Sequence, residues 1–517
     1  MSTAWQSKEL DPHLTELGDT YGRGEVSHRR NTRRKGVVYI LVFRTVLILS
    51  LLALCTPNFR AWALSRFEAI RSETFGVFEE LLSRHFLSAP DDDFSFLATH
   101  CADAQPISAN EFKSRQRALA ETLHALNASA YIAEPGANAG FFANISAAHW
   151  SLSERPLLLI ITPSLKTAVT SQSTHMDDGA LYEDEVEDVI TGVNAKVTIL
   201  TPSFEKTRAK LLPVPSADDT AYVEWPEDAS PYEVAAAALR QQQQISGGTV
   251  FVDGSIRKFI ADGLAKALPG TKVVSAPPEI RQLRERKSPA EIELLRCANE
   301  VTLLALRAVR ERTRIGMHES TVRALITKAL TDAGLSKAFA LTLFGENAAL
   351  PHGGGTDRIL GLEDFVLIDC GGSLHGYQSD ITRTYALPES RIHTTHLSLW
   401  FTVLNAQSAA HLAAQNDTLT HVVDDAARHV IARSGNGKYF THRLGHGIGL
   451  EGHEDPYLRG GSADLIRPGH AFSNEPGIYI EGDVGIRLED IFYINEEGKP
   501  VFLTANVGGQ AKTPWDI

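Results

Sequence analysis

The chain has 517 residues, 43% of them hydrophobic and 22% charged, the make-up of a globular protein long enough for about two or three domains. A formal net charge of −13 argues against a nucleic-acid partner, because such domains carry a basic face that neutralises phosphates. The four cysteines form no Cys-x-x-Cys pair, so neither a zinc knuckle nor a disulfide framework is expected.

Residues 1–35 are polar and charged without apolar periodicity, and read as a disordered cytosolic tail. Val37 to Cys55 is an apolar run that would span roughly 28 Å as a helix at about 1.5 Å per residue, enough for one bilayer crossing. Its one charge, Arg44, lies toward the cytosolic end, where a long side chain can snorkel. Arg29, Arg30, Arg33, Arg34 and Lys35 precede the run, so the positive-inside rule keeps the N-terminus cytosolic. The expectation is a single transmembrane anchor over 36–56, a juxtamembrane stalk over 57–105, and a lumenal or extracellular remainder. Sequons at Asn127, Asn144 and Asn416 fit that placement, although chance supplies about as many.

An amphipathic helix is expected from Asn110 to about Ala130. The strand candidates SAYIAE, PLLLIITP, KVTIL and TVFVDG then alternate with helical stretches such as YEVAAAALRQQQQ, so 106–278 reads as an α/β domain. Its acidic run ALYEDEVEDV reads as a solvated helix face. A second unit, 279–517, follows. At Lys287-Ser-Pro-Ala-Glu291, Ser288 can cap, Pro289 suits the first turn and Glu291 completes a capping box, which predicts a long helix to about Arg314.

FVLIDCGG reads as a buried strand delivering Asp369, and GYQSDITRTY as the returning strand presenting Asp380. Adjacent carboxylates in an apolar setting repel unless a proton or a cation lies between them. Cys370 should point to the opposite face from Asp369. Downstream, THRLGHGIGLEGHE packs His442, His446 and His453 into a glycine-rich segment, NEPGIY carries Glu475 and Tyr479, and GIRLED places Arg487 and Glu489 on one strand face. Two Asp, two Glu and one His form an oxygen-rich set suited to two divalent ions, Mn²⁺ first, with Co²⁺ or Zn²⁺ as alternatives. Such a pair activates water and polarises the carbonyl it attacks. His393, His396, His411, His421 and His429 fit no ligand spacing and read as surface or packing residues.

In this order and within these motifs, Asp369, Asp380, His446, Glu475 and Glu489 resemble the pita-bread metallopeptidases of the Xaa-Pro aminopeptidase and prolidase branch, from roughly Ile107 to the C-terminus. The resemblance implies a creatinase-type α/β N-terminal domain and an α+β pita-bread catalytic domain, here preceded by the transmembrane helix. It makes Asp369 a bidentate ligand of one ion, Asp380 and Glu489 bridging ligands, and His446 and Glu475 ligands of the other. Glu475 would also orient the attacking water, and His453 would stabilise the tetrahedral intermediate. His352, in LPHGGG, would contact substrate, with His442, Tyr479 and Arg487 lining a proline pocket. Proline-containing peptides as substrates and a homodimer are implied as well. Gly452 departs from relatives that carry a branched apolar residue before the histidine matched by His453. Methionine aminopeptidases lack the extra N-terminal domain and creatinase lacks the metal ligands. The alternative from another class is a catalytically idle pita-bread scaffold or binding protein at a membrane.

Overall fold

A computed structural model describes residues 93–169, 188–215, 220–241 and 248–517. The expected cytosolic tail, the anchor, most of the stalk and most of the acidic run near 185 lie outside these residues. The expectation of a transmembrane helix, and with it of a lumenal or extracellular location, is corrected: among the described residues no helix is long and apolar enough to cross a membrane. The longest, Pro289–Arg310, carries Glu293, Arg296, Glu300 and Arg307 along its length. The stretch 37–55, on which the expectation rested, is not among the described residues.

The chain enters the described fold with Phe94, Leu97 and Cys101 packed into the same core as Leu294, Val301 and Leu330. Cys101 is bonded to Cys297 on the Pro289–Arg310 helix, with the Cα atoms 5.8 Å apart. This pair corrects the expectation of no disulfide: its partners are 196 positions apart and carry no spacing signal.

The helix Ala109–Ala125 is N-capped by Ser108 and stops where Asn127 takes a positive φ of 52°. Strands β1 (Ala128–Ala133), β2 (Leu158–Val169), β3 (Asp188–Pro202), β4 (Ala221–Trp225), β5 (Thr249–Val252) and β6 (Lys272–Ser275) form one sheet in the order β4-β3-β2-β1-β5-β6. The continuous apolar run of PLLLIITP is explained by burial on both faces. Leu157, Leu159 and Ile161 join one core cluster, while Leu158 and Ile160 join the opposite one. Strands β1 and β5 are parallel, whereas β1 and β2 are antiparallel.

The capping box at Ser288 and Glu291 is present, with Pro289 in the first turn, and starts the long helix as read from the sequence. Behind it stand β7 (Ser336–Phe344), β8 (Val366–Leu374), β9 (Tyr377–Gln378) and β10 (Ile381–Tyr385), with β8 between β7 and β10. A second sheet holds β11 (Gly445–Gly447), β12 (Glu454–Leu458), β13 (Ala471–Asn474), β16 (Asp490–Ile494) and β17 (Pro500–Phe502), while β14 (Gly477–Ile480) and β15 (Val484–Arg487) form a hairpin. A single bridge, Thr382 to Glu489, joins the two sheets at the level of the site. Close approach needs glycine here: a Cβ on Gly371 would lie 1.9 Å from the Ser379 carbonyl oxygen, and one on Gly445 2.1 Å from that of Ser473.

Buried polar contacts brace the junction between the α/β portion and the rest. Lys287 Nζ donates to Glu454 Oε1 at 2.6 Å, both side chains being 2% exposed. Arg115 reaches Tyr377 Oη at 3.3 Å, and Tyr377 in turn donates to Glu291 at 2.8 Å.

Two substitutions test this account. Gly371→Ala is expected to cost about 1–3 kcal/mol or more of unfolding free energy in urea, because the added methyl meets backbone rather than a movable side chain. Cys101→Ser is expected to cost about 2–4 kcal/mol in the same measurement, and reduction of the wild type should reproduce the loss.

Candidate active site

Register brings the acidic residues together. On β8, Asp369 pairs with Thr382 of β10, and Asp380 immediately precedes β10. Pairing of Asn474 with Asp490 sets Glu475, just past β13, beside Glu489, just before β16. His446 lies on β11, the neighbour of β13. The ligand-type atoms of Asp369, Asp380 and Glu489 lie within 4.8 Å of one another, as do those of His446, Glu475 and Glu489. Glu489 is shared between the groups. A third group joins Asp380, His446 and His453. The five residues read as ligands thus meet at one place, and Cys370 faces the apolar core behind them.

Electrostatics make this arrangement costly without a cation. Burial first, and then the neighbouring carboxylates, push Asp380 and Glu489 well above the usual carboxylate range. Burial raises Glu475 to about 7. Burial also pulls His446 down to about 3, so its ring is neutral. Its Nδ1 lies 3.1 Å from the Gly447 carbonyl oxygen, which can only accept, so Nδ1 carries the proton. The lone pair of Nε2 therefore faces Glu475 Oε1 at 3.4 Å and Asp380 Oδ2 at 3.9 Å. Asp369 Oδ1 is buried without a hydrogen-bond partner. Lone pairs directed at lone pairs, and an orphaned carboxylate oxygen, fit a site for divalent metal. These residues could hold one.

Arg487 is the cation in contact with this cluster, and its geometry refines the pocket-lining role implied by resemblance. It donates to Asp369 Oδ2 at 2.6 Å, to Thr382 Oγ1 at 3.2 Å and to Tyr479 Oη at 3.1 Å. Thr382 donates onward to Glu489 Oε2 at 2.7 Å. Burial lowers His442 to about 4, and its Nε2 lies 2.8 Å from Tyr479 Oη. His442, Tyr479 and Arg487 therefore form a hydrogen-bonded chain that ends on the Asp369 carboxylate. His453 is exposed, its ring centroid 4.1 Å from that of His446, and His352 is also exposed. The structure gives neither a hydrogen bond among the contacts described.

Sequence reasoning missed the groups that hold these residues. Ser473 Oγ accepts from the His446 amide at 3.0 Å and donates to Glu475 Oε1 at 3.3 Å. Asp424, fully buried, accepts from the Leu444 amide and is paired with Arg428. Arg383 and Asp490, both 0% exposed, pair behind Glu489 at 2.7 Å. An Asp directly after a proposed ligand and an Arg between two threonines of a strand were the available signals. The histidines read as bystanders behave so: His396 pairs with Asp483, and His411 stacks on Phe502.

The model of metallopeptidase family M24 matches residues 293–496. An uncharacterized peptidase of Schizosaccharomyces pombe is 36% identical over 419 residues, 80% of this chain and 85% of that protein. The crystal structure of dipeptidase PepE from Mycobacterium ulcerans superposes with a TM-score of 0.64 at 29% identity, covering 77% of this chain and 97% of that one. The prolidase from Pyrococcus horikoshii OT3 shares the fold, with a TM-score of 0.60 at 24% identity over 76% of this chain and 98% of that one. With such a relative along four-fifths of its length and side chains that could hold a metal meeting in its cleft, the chain belongs to metallopeptidase family M24, the pita-bread metallopeptidases.

Proposed function

We propose that this peptidase hydrolyses the Xaa-Pro bond at the N-terminus of short peptides using two divalent ions, Mn²⁺ first among them, and that it works as a homodimer. The observation that carries the proposal is the overlap of the ligand groups: Asp369, Asp380 and Glu489 on one side, His446, Glu475 and Glu489 on the other. Bound there, two divalent ions supply a nucleophilic water at neutral pH and polarise the carbonyl that it attacks.

The chain's own residues do the rest. Glu475, beside His446 and Glu489, accepts a proton at its carboxylate and returns it to the leaving proline nitrogen as the C–N bond breaks. His453, exposed at the mouth beside His446, donates toward the oxygen on which charge develops. Arg487 fixes Asp369 and, through Thr382, Glu489 in the orientation the ions require. His352, His442 and Tyr479 contact the substrate. An Xaa-Pro bond has no N–H to recognise, so the site needs shape around the ring rather than a donor contact. Similarity to dipeptidase PepE favours dipeptides over longer chains. An idle scaffold is disfavoured because all five ligand-type residues are present in one buried cleft.

Asp380→Asn is expected to abolish hydrolysis while the circular dichroism spectrum stays that of the wild type; full activity in that variant would sink the two-ion proposal. Offered Xaa-Pro dipeptides, Xaa-Ala dipeptides and longer Xaa-Pro-led peptides, the Mn²⁺-loaded enzyme is expected to cleave the Xaa-Pro dipeptides fastest, read by mass spectrometry. Efficient cleavage of the longer peptides would make it an aminopeptidase of the same bond, and a preference for Xaa-Ala would remove proline from the proposal.

A further inference from the structure

Four arginines lie in or against the segments that carry the site, and three of them are committed to a carboxylate of the fold. Arg383 pairs with Asp490, Arg428 with Asp424 and Arg487 with Asp369. Arg443, three positions before His446, is half-buried and has neither an ion pair nor a side-chain hydrogen bond among the described residues. Its guanidinium instead lies over an aromatic ring, with the central carbon 4.7 Å from the centroid of Tyr457.

Strand register says which way this cation faces. In the antiparallel pair of β11 and β12, Tyr457 stands opposite His446, and residues directly opposite turn their side chains to the same face. Tyr457 is therefore on the face that carries His446, and Arg443, lying over its ring, is there with it. The electrostatics agree: burial is the first cause of the lowered pKa of His453, and the charge of Arg443 is the second. That charge also reaches His446 and Glu475, after burial and stronger groups. A ring against one flat side restrains the guanidinium but leaves its edge free, and that edge is a fork of N–H donors that matches a carboxylate.

We infer that Arg443 receives the C-terminal carboxylate of the peptide and so selects dipeptides. The inference deepens the peptidase reading of the same site and rests on it. In an Xaa-Pro dipeptide with an uncharged first side chain, that carboxylate is the only anion, and it ends the chain one residue, roughly 3.8 Å, beyond the scissile bond. Each further residue moves it out by about 3.3–3.6 Å, so a cation held in place by a ring favours one length. The bond to proline offers no N–H, which leaves the carboxylate as the charged group by which the leaving residue is recognised. Arg459 also approaches the Tyr457 ring, at 5.6 Å, but it is exposed and its charge is screened by solvent.

Steady-state kinetics of the full-length, Mn²⁺-loaded protein on Leu-Pro and on Leu-Pro amide, which lacks the anion, test the inference. The wild type is expected to favour the free acid by about tenfold or more in kcat/KM. Arg443→Met, which keeps an apolar stem over the Tyr457 ring, is expected to raise KM for Leu-Pro by about tenfold or more with a much smaller change in kcat, so that the preference over the amide collapses. Arg443→Lys keeps the charge without the fork and is expected to recover part of that preference. An acid preference retained in Arg443→Met, whether through no change or through equal losses on both substrates, would overturn the inference while cleavage of Leu-Pro by the wild type leaves the peptidase reading standing. So would a wild type that cleaves acid and amide equally well. A wild type that cleaves neither would overturn the peptidase reading and the inference with it.

Discussion

Mutual repulsion among buried carboxylates is the constraint around which this molecule is arranged. Asp380, Glu475 and Glu489 are driven together where water cannot screen them, and the neutral ring of His446 presents a lone pair to them instead of a proton. A fold gains nothing by packing such groups unless something positive is held between them. Arg487 offsets part of the charge, but its guanidinium is committed to Asp369, Tyr479 and Thr382 and does not sit among the other carboxylates. The stability of the fold and the chemistry of the cleft are thus coupled through the same atoms.

Holding that cluster explains much of the surrounding structure. The sheets carrying it meet through the Thr382 to Glu489 bridge, and approach closely because Gly371 and Gly445 lack side chains where backbone oxygens pass. Behind Glu489, the fully buried pair of Arg383 and Asp490 connects to Gln407, whose side-chain amide also donates to the Asn474 carbonyl next to Glu475. Removing one member of such a pair leaves an uncompensated charge, which makes the pair a positioning device more than a source of stability. The Lys287 to Glu454 pair does the same for the segment next to His453.

The proposed ligand residues were legible in the sequence as a cluster because metal chemistry restricts residue type, and because glycine and strand patterns restrict where those types can sit. Asp369, Asp380, His446, Glu475 and Glu489 all stand where those patterns put them. The strands of the α/β sheet were legible from apolar runs and the long helix from its capping box. Their supports were less so: Thr382 looks like any strand threonine until its hydroxyl is seen between Arg487 and Glu489. Pairing of Cys101 with Cys297 depends on a tertiary contact that no local spacing encodes. Arg487 was read as a pocket wall from the family resemblance alone, since strand period fixes which face a side chain takes but not which neighbour it selects. The apolar run 37–55 met a length criterion for a membrane span, yet the described helices contain no such span.

The most direct test of the central claim is anomalous diffraction at the manganese edge from crystals of the Mn²⁺-loaded protein. Two peaks about 3.5–4 Å apart are predicted, one beside Asp369 and one beside His446 and Glu475, with Glu489 between them. A single peak, or density centred on His453 and away from Glu489, would contradict the account.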